Sequence, residues 1–397
     1  MRRSHDEAPS RGRAVRRSVP VVVAALALIA GCSSGGSDSS DAAAPAPTPV
    51  PPVISVEPGQ NAKVGPTTDI VVSADRGRLD AVEVKASDGT LVPGTLEQDA
   101  TVWRSDAKLL KFGTKYDVSA RASVDGVTST KASHFTVKQT KGLRAILSPD
   151  ERTVGVGMPI TVTLTAAPDK RAAVERRLSV STSKPVVGAW HWFSDTQLHW
   201  RPRDFWPADT RVRVKADLKG VKFGKNVYGD HDTSVAFRIG DAQISTVDIA
   251  NHTMTVTRNG KVVRTLPVTN GEPAYRTRSG IKVIVTKERE TIMDSTTVDI
   301  PENSSDSYRL KVRNAMRLTW SGEYIHAAPW SVRSQGRANV SHGCTGLSDA
   351  NAQWLYDFSR VGDVVKYINS DRPLEQGNGY TDWNVPWKTW LAGSALV

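Results

Sequence analysis

Val64-Gly65-Pro66-Thr67-Thr68-Asp69-Ile70-Val71-Val72-Ser73-Ala74 has a counterpart 92 residues on, Val156-Gly157-Met158-Pro159-Ile160-Thr161-Val162-Thr163-Leu164-Thr165-Ala166. Each copy leaves a glycine turn and enters a run in which β-branched and small residues alternate with period two. That period marks a strand with one buried face. The same alternation recurs at Val82–Ala86, Tyr116–Ala120 and His134–Val137. No long helical stripe interrupts it before Gly240. The reading is antiparallel β-sandwich.

The repeat extends outward. Trp103-Arg104 answers to Trp200-Arg201, Tyr116–Ala120 to Val212–Ala216, and Phe135 to Phe237. The offset drifts, as loop insertions between equivalent strands require. Two tandem immunoglobulin-like sandwiches are therefore expected at 53–140 and 141–242. The second is dense in aromatics: Trp190, His191, Trp192, Phe193, His199, Trp200, Phe205 and Trp206. These read as core and inter-domain packing, with a carbohydrate-stacking surface as the alternative. His191, His199 and His231 lack a Cys or carboxylate cluster at ligand spacing, so no metal site is expected.

The N-terminus reads as an export signal. Six arginines within residues 1–17 precede Val19–Ala30, a nearly all-apolar stretch too short to span a bilayer. Ile29-Ala30-Gly31-Cys32 looks like a bacterial lipobox, which implies a signal peptide at 1–31, lipidation at Cys32 and a membrane anchor. Residues 32–52, rich in Ser, Gly, Ala and Pro, read as a disordered tether. Removing 1–31 leaves 46 basic and 39 acidic residues, a net charge of +7. That mild excess suits an anionic cell envelope and does not point to nucleic acid.

From about 243 to 370 the character changes. Thr253–Leu266 reads as a hairpin around Asn259-Gly260. Strands are expected at Ile281–Thr286, Arg317–Trp320, Tyr324–His326 and Val364–Ile368. One helix is expected at Ser348–Ser359, capped by Ser348, with Ala352, Trp354, Leu355 and Phe358 as its apolar face. The chain has two cysteines. With Cys32 assigned to the anchor, Cys344 has no disulfide partner in an exported protein. A reactive thiol is the reading. His326, eighteen residues upstream, is the natural general base. The backbone of 342–344, loosened by Gly343, offers N–H groups for an oxyanion.

Ile325-His326-Ala327-Ala328-Pro329-Trp330-Ser331 followed by Ser341-His342-Gly343-Cys344 resembles the signature of L,D-transpeptidases with the YkuD-type catalytic domain. The resemblance extends to Met293–Thr297, Tyr308-Arg309, Asn351–Tyr356 and the Trp-rich tail 371–397, which is expected to pack on the catalytic domain. It implies a mainly β catalytic domain with one helix behind the nucleophile. It also implies Cys344 as nucleophile, His326 as base, and Ser341, His342 and Gly343 shaping the site, with Tyr308, Met293 and Trp330 lining the donor pocket. The implied reaction is 3→3 cross-linking of peptidoglycan. A tetrapeptide donor acylates Cys344 and releases D-Ala, and the amine of a neighbouring diaminopimelate resolves the thioester. Carbapenem-type β-lactams would trap the same sulfur, and no cofactor is needed.

Two positions depart from the usual pattern. Ala327 follows the histidine where relatives carry Ser or Gly, so a backbone carbonyl is expected to orient the imidazole. Gly346 stands where relatives usually have Asn, which removes an amide that could bind substrate. The alternatives are an L,D-carboxypeptidase using water as acceptor and a catalytically decayed wall-binding lipoprotein.

Overall fold

The computed structural model describes residues 50–397 apart from 151, 299–301 and 306. The export segment, Cys32 and nearly all of the expected tether lie outside the described residues.

The two sandwiches share one topology. In the first, one sheet runs Val53–Glu57, Val71–Asp75, Val102–Ser105, Gly94–Glu97 in spatial order. The second repeats it with Ala145–Ser148, Ile160–Leu164, Gln197–Pro202, Gly188–Trp192. The facing sheets also match. Each begins with a short strand parallel to the last, Ala62–Val64 beside Phe135–Val137 and Thr153–Val154 beside Arg238–Ile239. Alternate residues point inward, so Ile70, Val72, Val118 and Phe135 form one core and Ile160, Val162, Val214 and Phe237 the other.

In both modules an indole lies flat on a glycine of the neighbouring strand. A Cβ on Gly94 would fall 2.1 Å from Trp103 Cζ2, and one on Gly188 would fall 2.1 Å from Trp200 Cζ2. Glycine is required at each position because the ring occupies the space. Each indole buries roughly 150–250 Å², about 4–6 kcal/mol at ~25 cal/mol per Å². Trp190, Trp192 and Trp206 are also buried. The four tryptophans of the second module are thus packing residues.

The catalytic region contains two sheets. One orders Lys261–Pro267, Thr253–Arg258, Gln243–Asp248, Val364–Ile368 and Gly280–Val283. Its tight hairpin turns through Asn259 and Gly260, both at positive φ, as a two-residue turn of the favoured twist requires. The other orders Thr286–Asp294, Arg309–Arg317, Tyr324–Ala327 and Thr345–Leu347. Helix Asp349–Phe358 closes the back, with the Ser348 hydroxyl accepting the Asn351 N–H. Its buried face is Ala352, Leu355 and Tyr356. Trp354 and Phe358 flank that face and stack on each other, centroids 4.9 Å apart.

Two expectations are corrected. Residues 318–320 are not a strand; the strand there is Arg309–Arg317, half of a long hairpin with Thr286–Asp294. The tail packs on the catalytic domain only in its first half. Asn384 bonds Ile281, and Asn378 bonds Ser321. Beyond that, the tail crosses to the second sandwich. Trp390 is fully buried there and donates its indole N–H to Ala189 O. Arg201 lies over the rings of Trp383, Trp387 and Trp390. The amides of Gly155 and Gly157 bond the carbonyls of Val361 and Gly362, and Val364 belongs to the sandwich's core.

Candidate active site

The parallel pairing of Tyr324–Ala327 with Thr345–Leu347 sets His326 directly beside Gly346. Cys344 stands one residue before that second strand, so the sheet register alone brings imidazole and thiol to one place. The two residues border a cavity of about 170 Å³. The long hairpin contributes Met293, Tyr308, Leu310 and Val312 to its wall, and Trp330, Ser331 and Val340 close the other side. Every residue expected at the site is here except Gly343, which lies just behind the cavity in the turn. The rings of His326 and Trp330 are 6.0 Å apart, centre to centre.

The turn that carries Cys344 is tied down by two hydroxyls. Ser341 Oγ donates to the Cys344 carbonyl at 2.6 Å and accepts the Gly343 N–H at 3.2 Å. Thr277 Oγ1 donates to Gly343 O at 2.8 Å and accepts the Gly271 N–H. Gly343 has φ +119°, a conformation side chains rarely adopt. The Gly343 amide is therefore used inside the turn, which leaves the amides of His342 and Cys344 for a ligand. The His342 ring is exposed and packs between Tyr275 and Tyr308, at centroid distances of 4.6 and 5.1 Å.

His326 is buried, and its Nδ1 lies 2.9 Å from the Ala327 carbonyl. A carbonyl only accepts, so Nδ1 carries the proton and Nε2 keeps a free lone pair. The missing hydroxyl at position 327 is replaced by main chain. Burial lowers the His326 pKa, against a smaller opposing effect of that hydrogen bond. The thiol donates to Gly322 O at 3.6 Å. Burial pushes its pKa up to about 12, with Glu323 adding to the rise and the Tyr324 amide and Lys282 opposing it. At neutral pH the resting site thus holds a neutral thiol and a neutral imidazole, not an ion pair.

This predicts a definite titration. A raised thiol pKa leaves thiolate scarce until high pH, so the rate of Cys344 alkylation by iodoacetamide should climb about tenfold per pH unit from pH 7 to beyond pH 10. A plateau at or below about pH 8.5 would contradict it.

Gly346 differs from what the sequence suggested. It does line the cavity, but a Cβ there would sit 2.9 Å from Thr269 Cγ2 and 3.0 Å from Ala328 Cβ. The position excludes a side chain as well as lacking one. Gly346→Asn should cost about 1–3 kcal/mol through overpacking, read as a lowered urea midpoint, instead of supplying a substrate contact.

A thiol and an oriented histidine flanking an apolar cleft, on a β-rich domain behind two sandwiches, define a cysteine acyltransferase. The chain belongs to the L,D-transpeptidase family. Residues 242–366 match the L,D-transpeptidase catalytic domain family, and residues 61–222 match the bacterial Ig domain family. L,D-transpeptidase 2 of Mycobacterium tuberculosis is 35% identical over 337 residues, covering 84% of this chain and 82% of that protein. L,D-transpeptidase 1 of the same species is 38% identical over 251 residues, 63% of this chain and 94% of its own length. Among solved structures, LD transpeptidase LdtMt1 in complex with imipenem is 42% identical. It covers 57% of this chain and 99% of its own, with a TM-score of 0.50.

Proposed function

We propose that the protein cross-links peptidoglycan by L,D-transpeptidation, with Cys344 as nucleophile and His326 as general base. The observation that carries this is the Nδ1-protonated imidazole and the half-buried thiol that border one cleft. The family and its imipenem-bound member support it.

The thiol turns from Gly322 O toward His326 Nε2, which takes its proton as sulfur attacks the carbonyl of the donor's third residue. The amides of His342 and Cys344 hold the resulting oxyanion. The C–N bond to the terminal D-Ala breaks, and the imidazolium returns its proton to the leaving amine. A thioester remains. The acceptor amine then attacks that thioester, His326 removes the amine proton, and the departing sulfur is reprotonated. Met293, Tyr308 and Trp330 form the wall along the donor peptide. Carbapenems enter the same step and stop at the acyl-enzyme. Lipidation at Cys32, with the sandwiches as a spacer, would place the cleft in the wall outside the membrane.

The test incubates the chain from residue 53 with a disaccharide-tetrapeptide, beside Cys344→Ala, with products read by mass spectrometry. A dimer lacking one D-Ala, absent in the variant, is expected. Tripeptide monomer alone would replace transpeptidation with the carboxypeptidase reading, and unchanged substrate would reject both.

A further inference from the structure

Behind the sulfur lies a charged pair that the reaction as drawn does not use. Lys282 and Glu323 are 1% and 4% exposed, and Lys282 Nζ meets Glu323 Oε2 at 2.6 Å. The ammonium also sits 3.8 Å from the centre of the Tyr367 ring. The other carboxylate oxygen accepts the Arg278 N–H at 2.9 Å and faces the Arg278 guanidinium at 3.4 Å. Arg278 in turn reaches Glu375 at the surface. Burying two charges costs several kcal/mol per ion before their attraction offsets it, and apolar pairs of equal volume often serve stability as well. A pair kept in such a place invites a role beyond stability.

Its position supplies one. Glu323 is the middle residue of Gly322-Glu323-Tyr324. The Gly322 carbonyl receives the thiol's hydrogen bond, and the Tyr324 amide faces the same sulfur. The Glu323 backbone is fixed as well: Thr319 Oγ1 accepts its N–H, and its carbonyl accepts from Leu318. The carboxylate also reaches the back of the nucleophile turn, 3.9 Å from where a Cβ on Gly343 would stand.

We propose that the Lys282–Glu323 pair is a positioning unit for the Cys344 sulfur: it fixes the Gly322–Tyr324 turn that grips the sulfur, and its two charges act on the thiol with opposite sign. The ammonium favours thiolate and the carboxylate opposes it, so the fixed turn comes without a large net field on the nucleophile. The other ionisable groups coupled to the thiol, Tyr308, Tyr324 and Tyr367, are all held neutral by burial. His326 is neutral too. The pair therefore supplies the two opposed charges that act on the thiol. This rests on Cys344 being the nucleophile.

The test compares Lys282→Met and Glu323→Gln, each close to the native shape. Alkylation of Cys344 by iodoacetamide at pH 8 should fall about tenfold in Lys282→Met, one pH unit of displacement, and should not fall in Glu323→Gln, where the opposing carboxylate is gone and the buried lysine has lost the partner that keeps it charged. Cross-linking should fall at least tenfold in both, because both loosen the turn. A purely structural pair would move alkylation in the same direction in both variants, and that result overturns the proposal. So does wild-type alkylation in both. If one variant fails to fold, the other alone still decides: an unchanged rate in Lys282→Met, or a fall in Glu323→Gln, overturns the proposal. Alkylation needs no substrate, so its outcome is separate from the test of transpeptidation itself.

Discussion

His326→Gln is expected to lower acylation of Cys344 by imipenem on the order of 10³-fold, within the range typical of a lost general base. The argument runs through the resting state. Burial holds the thiol near a pKa of about 12 and the imidazole below its usual range, so no pre-formed thiolate exists to react. Each acylation must therefore move the proton during the attack, and Nε2 is the acceptor that the Ala327 hydrogen bond leaves free. Glutamine fills the space and can still donate to that carbonyl, yet it has no basic lone pair. Intact-protein mass spectrometry of the adduct against time measures the rate. Alkylation by iodoacetamide at pH 10, where hydroxide supplies the thiolate, should change less than about threefold. A loss of under tenfold with imipenem would mean that another group takes the proton.

Trp390→Ala should produce the largest loss of stability away from the site, about 3–5 kcal/mol. The indole is fully buried, donates to Ala189 O, stacks on His191 at 4.7 Å and lies under the Arg201 guanidinium at 4.6 Å. Its removal leaves a cavity and also uncovers a buried cation. Arg201 is 3% exposed and relies on carbonyls and these rings for compensation. A urea titration followed by tryptophan fluorescence measures the loss, and protease cleavage after Asn384 should become rapid. A variant within about 1 kcal/mol of the wild type would show that the tail is an ornament and not a strut.

Much of this was legible in the chain. Sheets with one buried face leave a period-two signature, so the paired sandwiches follow from Val64–Ala74 and its copy, and Asn259-Gly260 marks its hairpin. The histidine and cysteine stand out by residue type, and the parallel pairing of their strands explains why eighteen residues of separation do not keep them apart. The long hairpin Thr286–Asp294/Arg309–Arg317 was not legible as such. Its first strand, Thr286–Asp294, carries Lys, Glu and Arg on both faces and buries neither, so alternation is missing there. Leu310 and Val312, which line the cleft, alternate with Arg309, Lys311 and Arg313 on the second strand, but two apolar residues are too short a run to mark a strand by themselves. The Lys282–Glu323 pair was hidden for a different reason. A lone Lys within Gly280–Val283 reads as solvent-facing, and only the three-dimensional arrangement supplies its carboxylate and its aromatic wall. The path of the tail was misjudged for a related reason: three tryptophans announce burial but not against which partner.

The sharing of Val364 between sandwich core and catalytic sheet decides where this chain can be divided. A cut at 243 would strand Val364, the Gly155 and Gly157 amides and the Trp390 socket on opposite fragments. Neither fragment would have a finished interior. A cut at 141 passes through a single connecting segment and leaves both interiors whole. The smallest piece expected to fold and react on its own therefore begins with the second sandwich. The first sandwich keeps a core of its own and meets the second only at its surface, as where Gly220 lies against Lys108 and Thr67, so its removal is expected to leave alkylation of Cys344 unchanged.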